Sequence, residues 1–124
     1  MSTANPDLAA VAAHASAADD EPVVMVNMMK FKSSEHSQRF LSESRARTGE
    51  FVRELGASIV FVGLAGPEFC ADEDWDLVLL VQYPNFGAVN LTLTDEAIGP
   101  FVSGLRAETI ERSRFLLTSP LPIG

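Results

Sequence analysis

Apolar and polar residues follow two different periods along this chain, and the changes between them mark out its elements. Residues 23–31, VVMVNMMKF, are apolar on both parities and predict a strand covered on both faces. From 35 to 55 the positions Phe40, Leu41, Ser44, Thr48, Phe51, Val52 and Leu55 recur in steps of three and four. That period predicts a helix, and Gly56 is well placed to end it. ASIVFVGLAG at 57–66 and WDLVLLVQYP at 75–84 predict two more strands, the second stopped by Pro84. PEFCADED between them reads as a turn or a short hairpin rim. Asn85 suits the cap of a helix over 86–93, with Phe86, Val89, Asn90 and Leu93 on one side. A further helical stretch covers about 96–111, with Ile98, Phe101, Leu105 and Ile110 on its apolar face and a break expected near Gly99 and Pro100. Residues 113–119 predict a last strand. Ahead of all these, LAAVAAHASAA reads either as a short helix, with Asn5 as cap and Pro6 as first helical residue, or as a frayed Ala-rich tail.

Strand, helix, strand, strand, helix, strand is the split βαβ order of a ferredoxin-like α+β fold, with one antiparallel sheet and its helices on one face. The expected organisation is an extension over 1–21, helical or flexible, one domain over 22–119 and a short tail over 120–124. Both faces of the central strands are apolar: Val24, Val26 and Met28 oppose Met25 and Met29, and Leu77, Leu79 and Val81 oppose Val78 and Leu80. The helices can cover only one face, so the pattern predicts a homodimer formed by sheet-on-sheet contact.

Length and charge narrow the function. A chain of 124 residues suits a single core. Its 17 acidic against 9 basic residues, a formal charge of −8, leave no basic stripe for nucleic acid and argue against an anionic membrane surface. No basic, apolar leader is expected at its start, and no stretch approaches the roughly 20 apolar residues that span a bilayer. The single cysteine, Cys70, permits no internal disulfide, which fits a reducing, cytoplasmic setting. His14, His36 and Cys70 have no partners at metal-ligand spacing, so no metal, haem or other cofactor is expected. Nucleotide-binding and hydrolytic motifs are absent from the sequence.

The residues that do not fit a plain core are the candidates for chemistry. Asn27 shares parity with Met25, Met29 and Phe31, and if that face is the one the helices cover, its amide points into the space between sheet and helices. A carboxamide there can hold a carbonyl or an enolate-like oxygen, or it can tie down a neighbouring loop. Arg106 follows Leu105 on an amphipathic helix. Its rigid fork suits a carboxylate or phenolate, and the competing reading is a salt bridge to Asp76 or Glu108. Trp75 and Tyr83 share a parity at opposite ends of one strand, and with Phe31, Phe40 and Phe86 they are the candidate walls for an apolar or aromatic ligand. Trp75 serves equally as a cover for the sheet end. Lys30 lies on the opposite parity from Asn27, either directed out at the strand end or paired with Asp76.

PVVMVNMMKFK at 22–32, LGASIVFVG at 55–63, WDLVLLVQYPNFGAV at 75–89 and LRAETIERSRFLL at 105–117 resemble the DUF1330 family of small bacterial proteins, over about residues 22–118. The resemblance implies membership of the dimeric α/β barrel superfamily. It also places Arg106 at an arginine of the family's second long helix. Two departures stand out: Leu105 occupies the place where the family often has His, and Phe40 with nearby Ser and Arg replaces the family's helical Tyr residues. The superfamily includes cofactor-independent monooxygenases, lyases and haem-degrading enzymes, and fold membership does not choose among them. The leading expectation is a homodimeric enzyme acting on an apolar or aromatic carbonyl or phenolic metabolite, by cofactor-independent oxygenation or proton-transfer rearrangement. Asn27 and Arg106 would polarise or fix an oxygen. The alternative is a non-catalytic homodimer that binds a small ligand, and the lack of a visible general base favours it.

Overall fold

β1 (Val23–Phe31) is the spine of the sheet, and burial alternates strictly along it from Val23 to Phe31. A computed structural model describes residues 3–122. β1 pairs antiparallel with β3 (Leu77–Tyr83) on one side and β4 (Ile110–Thr118) on the other. β2 (Ser58–Leu64) pairs only with β3, so the order is β2-β3-β1-β4. This is the ferredoxin-like α+β topology expected from the sequence. The sheet is nevertheless open, and the expected barrel is not formed. Closure requires a ladder between the two edge strands, and β2 and β4 each pair with a single neighbour on the sheet.

Helices lie over the face that carries Met25, Asn27, Met29, Leu77, Leu79 and Val81. One helical segment runs from α2 (Ser34–Glu43) through a π-helical turn (Ser44–Thr48) into α3 (Gly49–Glu54). The sequence period predicts a plain helix here. The turn, in which Gly49 N–H donates to the Ser44 carbonyl, escapes a three-and-four pattern because one extra residue shifts the register only locally. Gly56 ends the segment with φ of 88°, a left-handed conformation that disfavours side chains.

α4 (Phe86–Thr94) is capped by Asn85, whose side chain accepts from Ala88 N–H. α5 (Ile98–Thr109) is continuous, without the expected break at Gly99 and Pro100. Pro100 sits in its first turn, where a backbone N–H has no helical acceptor to lose. Gly99 is required by packing: a Cβ there would stand 2.7 Å from the Leu93 carbonyl oxygen of α4. β4 begins directly after α5 at Ile110 rather than at 113.

The leading segment is folded onto this frame. α1 (Leu8–Ala17) is capped by Asp7, which accepts from the N–H groups of Ala9 and Ala10, and not by Asn5 as the sequence suggests. Val11 and Ala15 pack on the core, and His14 meets the Phe86 ring edge-on with centroids 4.7 Å apart. Thr3 bridges to Arg112 in parallel along the free side of β4. The tail to 122 carries no regular structure, and the last two residues of the 120–124 tail lie outside the described residues.

The second face of the sheet carries Val24, Val26, Met28, Val78 and Leu80, all half-buried, with Phe61 and Leu116 exposed at its two sides. No described helix covers it.

Candidate functional site

Between the sheet and its helices lies a cavity of about 490 Å³, within the range of small-ligand sites. Its floor is β1 and β3, with Asn27, Leu77, Leu79, Val81 and Tyr83, extended by Phe115 of β4. Its roof is built from Phe40, Leu41 and Val52, from Val89 and Thr92 of α4, and from Leu105 and Arg106 of α5. Ser44 and Thr48 of the π-helical turn and Gly49 at the start of α3 also line it, so the local widening of that helix faces the cavity. Exposed Arg45, Arg53, Ser58 and Ile59 form its rim.

The charge of the lining is opposite to that of the chain. Three of the nine basic residues, Arg45, Arg53 and Arg106, line the cavity, and none of the 17 acidic residues does. A cavity with low-dielectric walls and one sign of charge concentrates ligands of the other sign.

Arg106 is 6 % exposed. Its Nε donates to the Ala4 carbonyl at 2.8 Å, its Nη2 to Ser113 Oγ at 3.0 Å and its Nη1 to Asn27 Oδ1 at 3.5 Å. The Phe115 ring lies 5.9 Å from the guanidinium carbon. Among the described residues no carboxylate reaches it. The two acids the sequence offers are engaged elsewhere. Asp76 accepts from Lys30 Nζ at 3.3 Å and from Phe31 N–H at 2.9 Å, and Glu108 accepts from Arg39 at 3.2 Å. Burial pushes the Arg106 guanidinium down from 12.5 to about 10, which leaves it charged at neutral pH.

Tyr83 and Thr92 complete the polar part of the lining. Burial pushes the Tyr83 phenol up to about 12, against the opposing pull of its hydrogen bond with Thr92 and of the Arg106 charge. Tyr83 is therefore a neutral hydrogen-bonding group and no base. Thr92 Oγ1 donates to the Ala88 carbonyl at 2.9 Å. Among the described residues neither a carboxylate nor an imidazole lines the cavity.

Of the residues singled out in the sequence, Asn27, Phe40, Tyr83 and Arg106 line this cavity, and the aromatic candidates Phe31, Phe86 and Trp75 do not, nor does Lys30. Phe31 is buried against Phe40, with ring centroids 5.3 Å apart, in the core cluster beyond it. Phe86 is buried under α1. Trp75 is buried outside the cavity wall, donates through Nε1 to Glu73, and lies under the guanidinium groups of Arg112 and Arg114. All three lie where their strand or helix packs into solid core or the sheet end. Thr92, Ser113 and the segment around Ala4 escape sequence reading. Thr92 is three residues beyond Val89 on α4, a spacing that points it the same way, and this is the one signal available for it.

Lys30 is held by Asp74 at 2.8 Å and Asp76 at 3.3 Å. Its hydrogen bond to Asp74 raises its pKa, the opposite of what a nucleophilic amine needs. Among the described residues no cluster of His, Cys, Asp and Glu is placed to hold a metal ion, and no helix is long and apolar enough to cross a membrane.

No family model matches the chain, and no curated protein matches it. Solved structures do. A protein of unknown function from Rhodopseudomonas palustris superposes with a TM-score of 0.83 at 20 % identity, over 99 % of this chain and all of that one. A protein with a ferredoxin-like fold from Mesorhizobium loti, described as of the dabb family, gives 0.59 at 12 % identity, over 82 % of this chain and 98 % of that one. A dimeric protein of unknown function and ferredoxin-like fold from Bacteroides fragilis gives 0.55 at 16 % identity, over 79 % and 95 %. These likenesses place the chain in the ferredoxin-like fold.

Proposed function

We propose that this chain binds a small, largely apolar molecule carrying one anionic oxygen group, a carboxylate or phenolate, in the cavity between sheet and helices. One observation carries the reading: Arg106 is buried, faces the cavity, and has no carboxylate partner among the described residues. An unpaired buried cation is costly, and a bound anion relieves that cost through short, charge-assisted hydrogen bonds. Asn27 and Tyr83 would share the anionic oxygen, while Phe40, Leu79, Val81 and Phe115 would take the apolar body. Arg45 and Arg53 at the rim favour the same sign of ligand. The resemblance to DUF1330 supports the choice of site through Arg106, and the exposed Cys70 thiol is compatible with a cytoplasmic setting.

Matched pairs test it: 2-naphthoate with 2-naphthalenemethanol, phenylbutyrate with phenylbutanol, and octanoate with octanol, each titrated by calorimetry at neutral pH. At least one carboxylate should bind about tenfold or more tightly than its alcohol, a difference of about 1.4 kcal/mol. That preference should vanish in Arg106→Met. Equal affinity within every pair, or no saturable binding by any member, overturns the reading.

Turnover of the bound molecule is a second reading, and the lining decides which reaction it favours. Proton-transfer rearrangement lacks a base, because among the described residues no carboxylate or imidazole lines the cavity. Oxygenation of a phenolate can begin without one: the bound anion gives one electron to dissolved oxygen, the phenoxyl radical and superoxide combine into a peroxide on the ring, and the ring proton passes to the distal peroxide oxygen as the O–O bond breaks, leaving a quinone and hydroxide. Oxygen uptake with phenols that bind, compared with the rate in buffer alone, tests it.

The uncovered face of the sheet supports a homodimer by sheet-on-sheet contact, and the Bacteroides fragilis structure is described as dimeric. Light scattering should give about twice 13.4 kDa.

A further inference from the structure

We propose that the leading segment, residues 3–6, and Ser113 are part of the anion site: together they clamp one edge of the Arg106 guanidinium and leave its end free for a carboxylate or phenolate. This inference rests on the anion reading above. A guanidinium presents five N–H donors in a rigid plane. The Nε and Nη2 atoms share one edge, and both are engaged along it, Nε by the Ala4 carbonyl at 2.8 Å and Nη2 by Ser113 Oγ at 3.0 Å. The Nη1–Nη2 end keeps one long contact, 3.5 Å to Asn27 Oδ1. That end is the one that can grip two oxygens at once.

Ser113 couples the clamp to the segment. Its hydroxyl accepts from Arg106 and lies 2.6 Å from the Thr3 carbonyl, to which it donates, while Ser113 N–H donates to the same carbonyl at 3.1 Å. Asn5 Nδ2 donates to the Ser103 carbonyl at 3.0 Å, which ties the segment to the helix that carries Arg106. Ala4 is 1 % exposed, and Pro6 lines the cavity itself. Pro6 thus contributes to the cavity wall, while Thr3, Ala4 and Asn5 position the cation.

The test uses the full chain with Ser113→Ala, Ser113→Thr and Asn5→Ala, and 2-naphthoate, phenylbutyrate and octanoate with their alcohols as probes. Ser113→Ala should weaken the preferred carboxylate about tenfold, the effect of losing one hydrogen bond to a charged group, and leave its alcohol unchanged. Ser113→Thr keeps the hydroxyl and should restore the preference. Asn5→Ala should reduce the preference in the same direction. Hydrogen exchange at the Arg106 Nε–H, followed by nitrogen NMR without any ligand, should quicken in Ser113→Ala and Asn5→Ala. If the wild-type protein prefers carboxylates through Arg106 and neither variant changes that preference or the exchange, the clamp is wrong and the anion site stands. Loss of carboxylate and alcohol binding in equal measure marks Ser113 as merely structural and also overturns the clamp. No carboxylate preference in the wild type removes the anion site and the clamp together.

Discussion

Lys30 and Arg106 are cations on opposite faces of one sheet, and the chain treats them differently. Lys30 is half-buried at the end of β1 and bonded to Asp74 and Asp76. Arg106 is almost fully buried and meets a carbonyl, a hydroxyl and an amide. On the outer face Lys30 and Arg114 find carboxylates within the chain, beside the apolar patch of Val24, Val26, Met28, Val78 and Leu80. On the inner face a charge is left for something else to neutralise, beside a cavity that has room for it. A paired surface lysine is explained by the fold. Under the proposed function a bound anion would pair the buried arginine, because burial raises the cost of an unpaired charge and the worth of pairing it.

The contrast can be broken from either side. The largest effect is expected on the outer face. Leu80→Asp would set a carboxylate in the centre of the proposed dimer contact of both copies, and light scattering should show a folded monomer of about 13.4 kDa. A dimer that survives this change moves the contact elsewhere. On the inner face, Arg106→Met should cost about 2–5 kcal/mol in binding of the preferred carboxylate, as for removal of one member of a buried charge pair. Its folded stability should change far less, because methionine removes an uncompensated charge at similar length. A lower melting temperature with unchanged binding would make Arg106 a structural residue. Asn27→Ala should cost about 1–3 kcal/mol in the same titration, with no change in alcohol binding.

The pH dependence of the inner face sharpens the contrast further. Tyr83 is the single tyrosine of the chain, so an ultraviolet titration of its phenol reports on the cavity alone. Its midpoint should move from the ordinary 10.0 to about 12. A folded pKa raised above the unfolded one gives stability that is fully present below pH 10.0 and lost as pH rises towards about 12. Arg106, whose folded pKa is depressed to about 10, acts with the opposite sign above that pH. The difference between wild type and Tyr83→Phe isolates the tyrosine: the wild type should lose stability relative to the variant across that window. The smallest effect belongs to Lys30→Met, a part-exposed ion-pair partner, which should barely move the thermal melt and leave ligand binding unchanged. A large loss of binding in that variant would undo the distinction between the two faces.

Periodic features were legible in the sequence. Strand parity grouped Asn27 with Met25 and Met29, and apolar residues on both parities of β1 and β3 marked a second apolar face that the helices cannot cover. The helix period located Phe40 and Arg106. Each of these follows from local geometry, since side chains alternate along a strand and repeat along a helix. The errors arose where the local rule was right and the neighbour was unknown. Phe31 has the parity of Asn27 and ends in solid core against Phe40, and Trp75 covers the sheet end under Arg112 and Arg114.

What the sequence by itself determined is therefore the order of elements, the ferredoxin-like class and which residues share a face of the sheet. The partners of Arg106 were decided only by the tertiary structure. Asp76 lies closer to Lys30 and the Phe31 N–H, Glu108 to Arg39, and a segment about a hundred residues distant in sequence brings the Ala4 carbonyl to the guanidinium. The same holds for the open sheet, whose two edges do not meet, and for the cavity, which residues of the sheet, the π-helical turn, α4 and α5 enclose together. Periodicity is a property of neighbours along the chain. Ion pairing and enclosed volume are set by distances across it, and those arise only once the elements have packed.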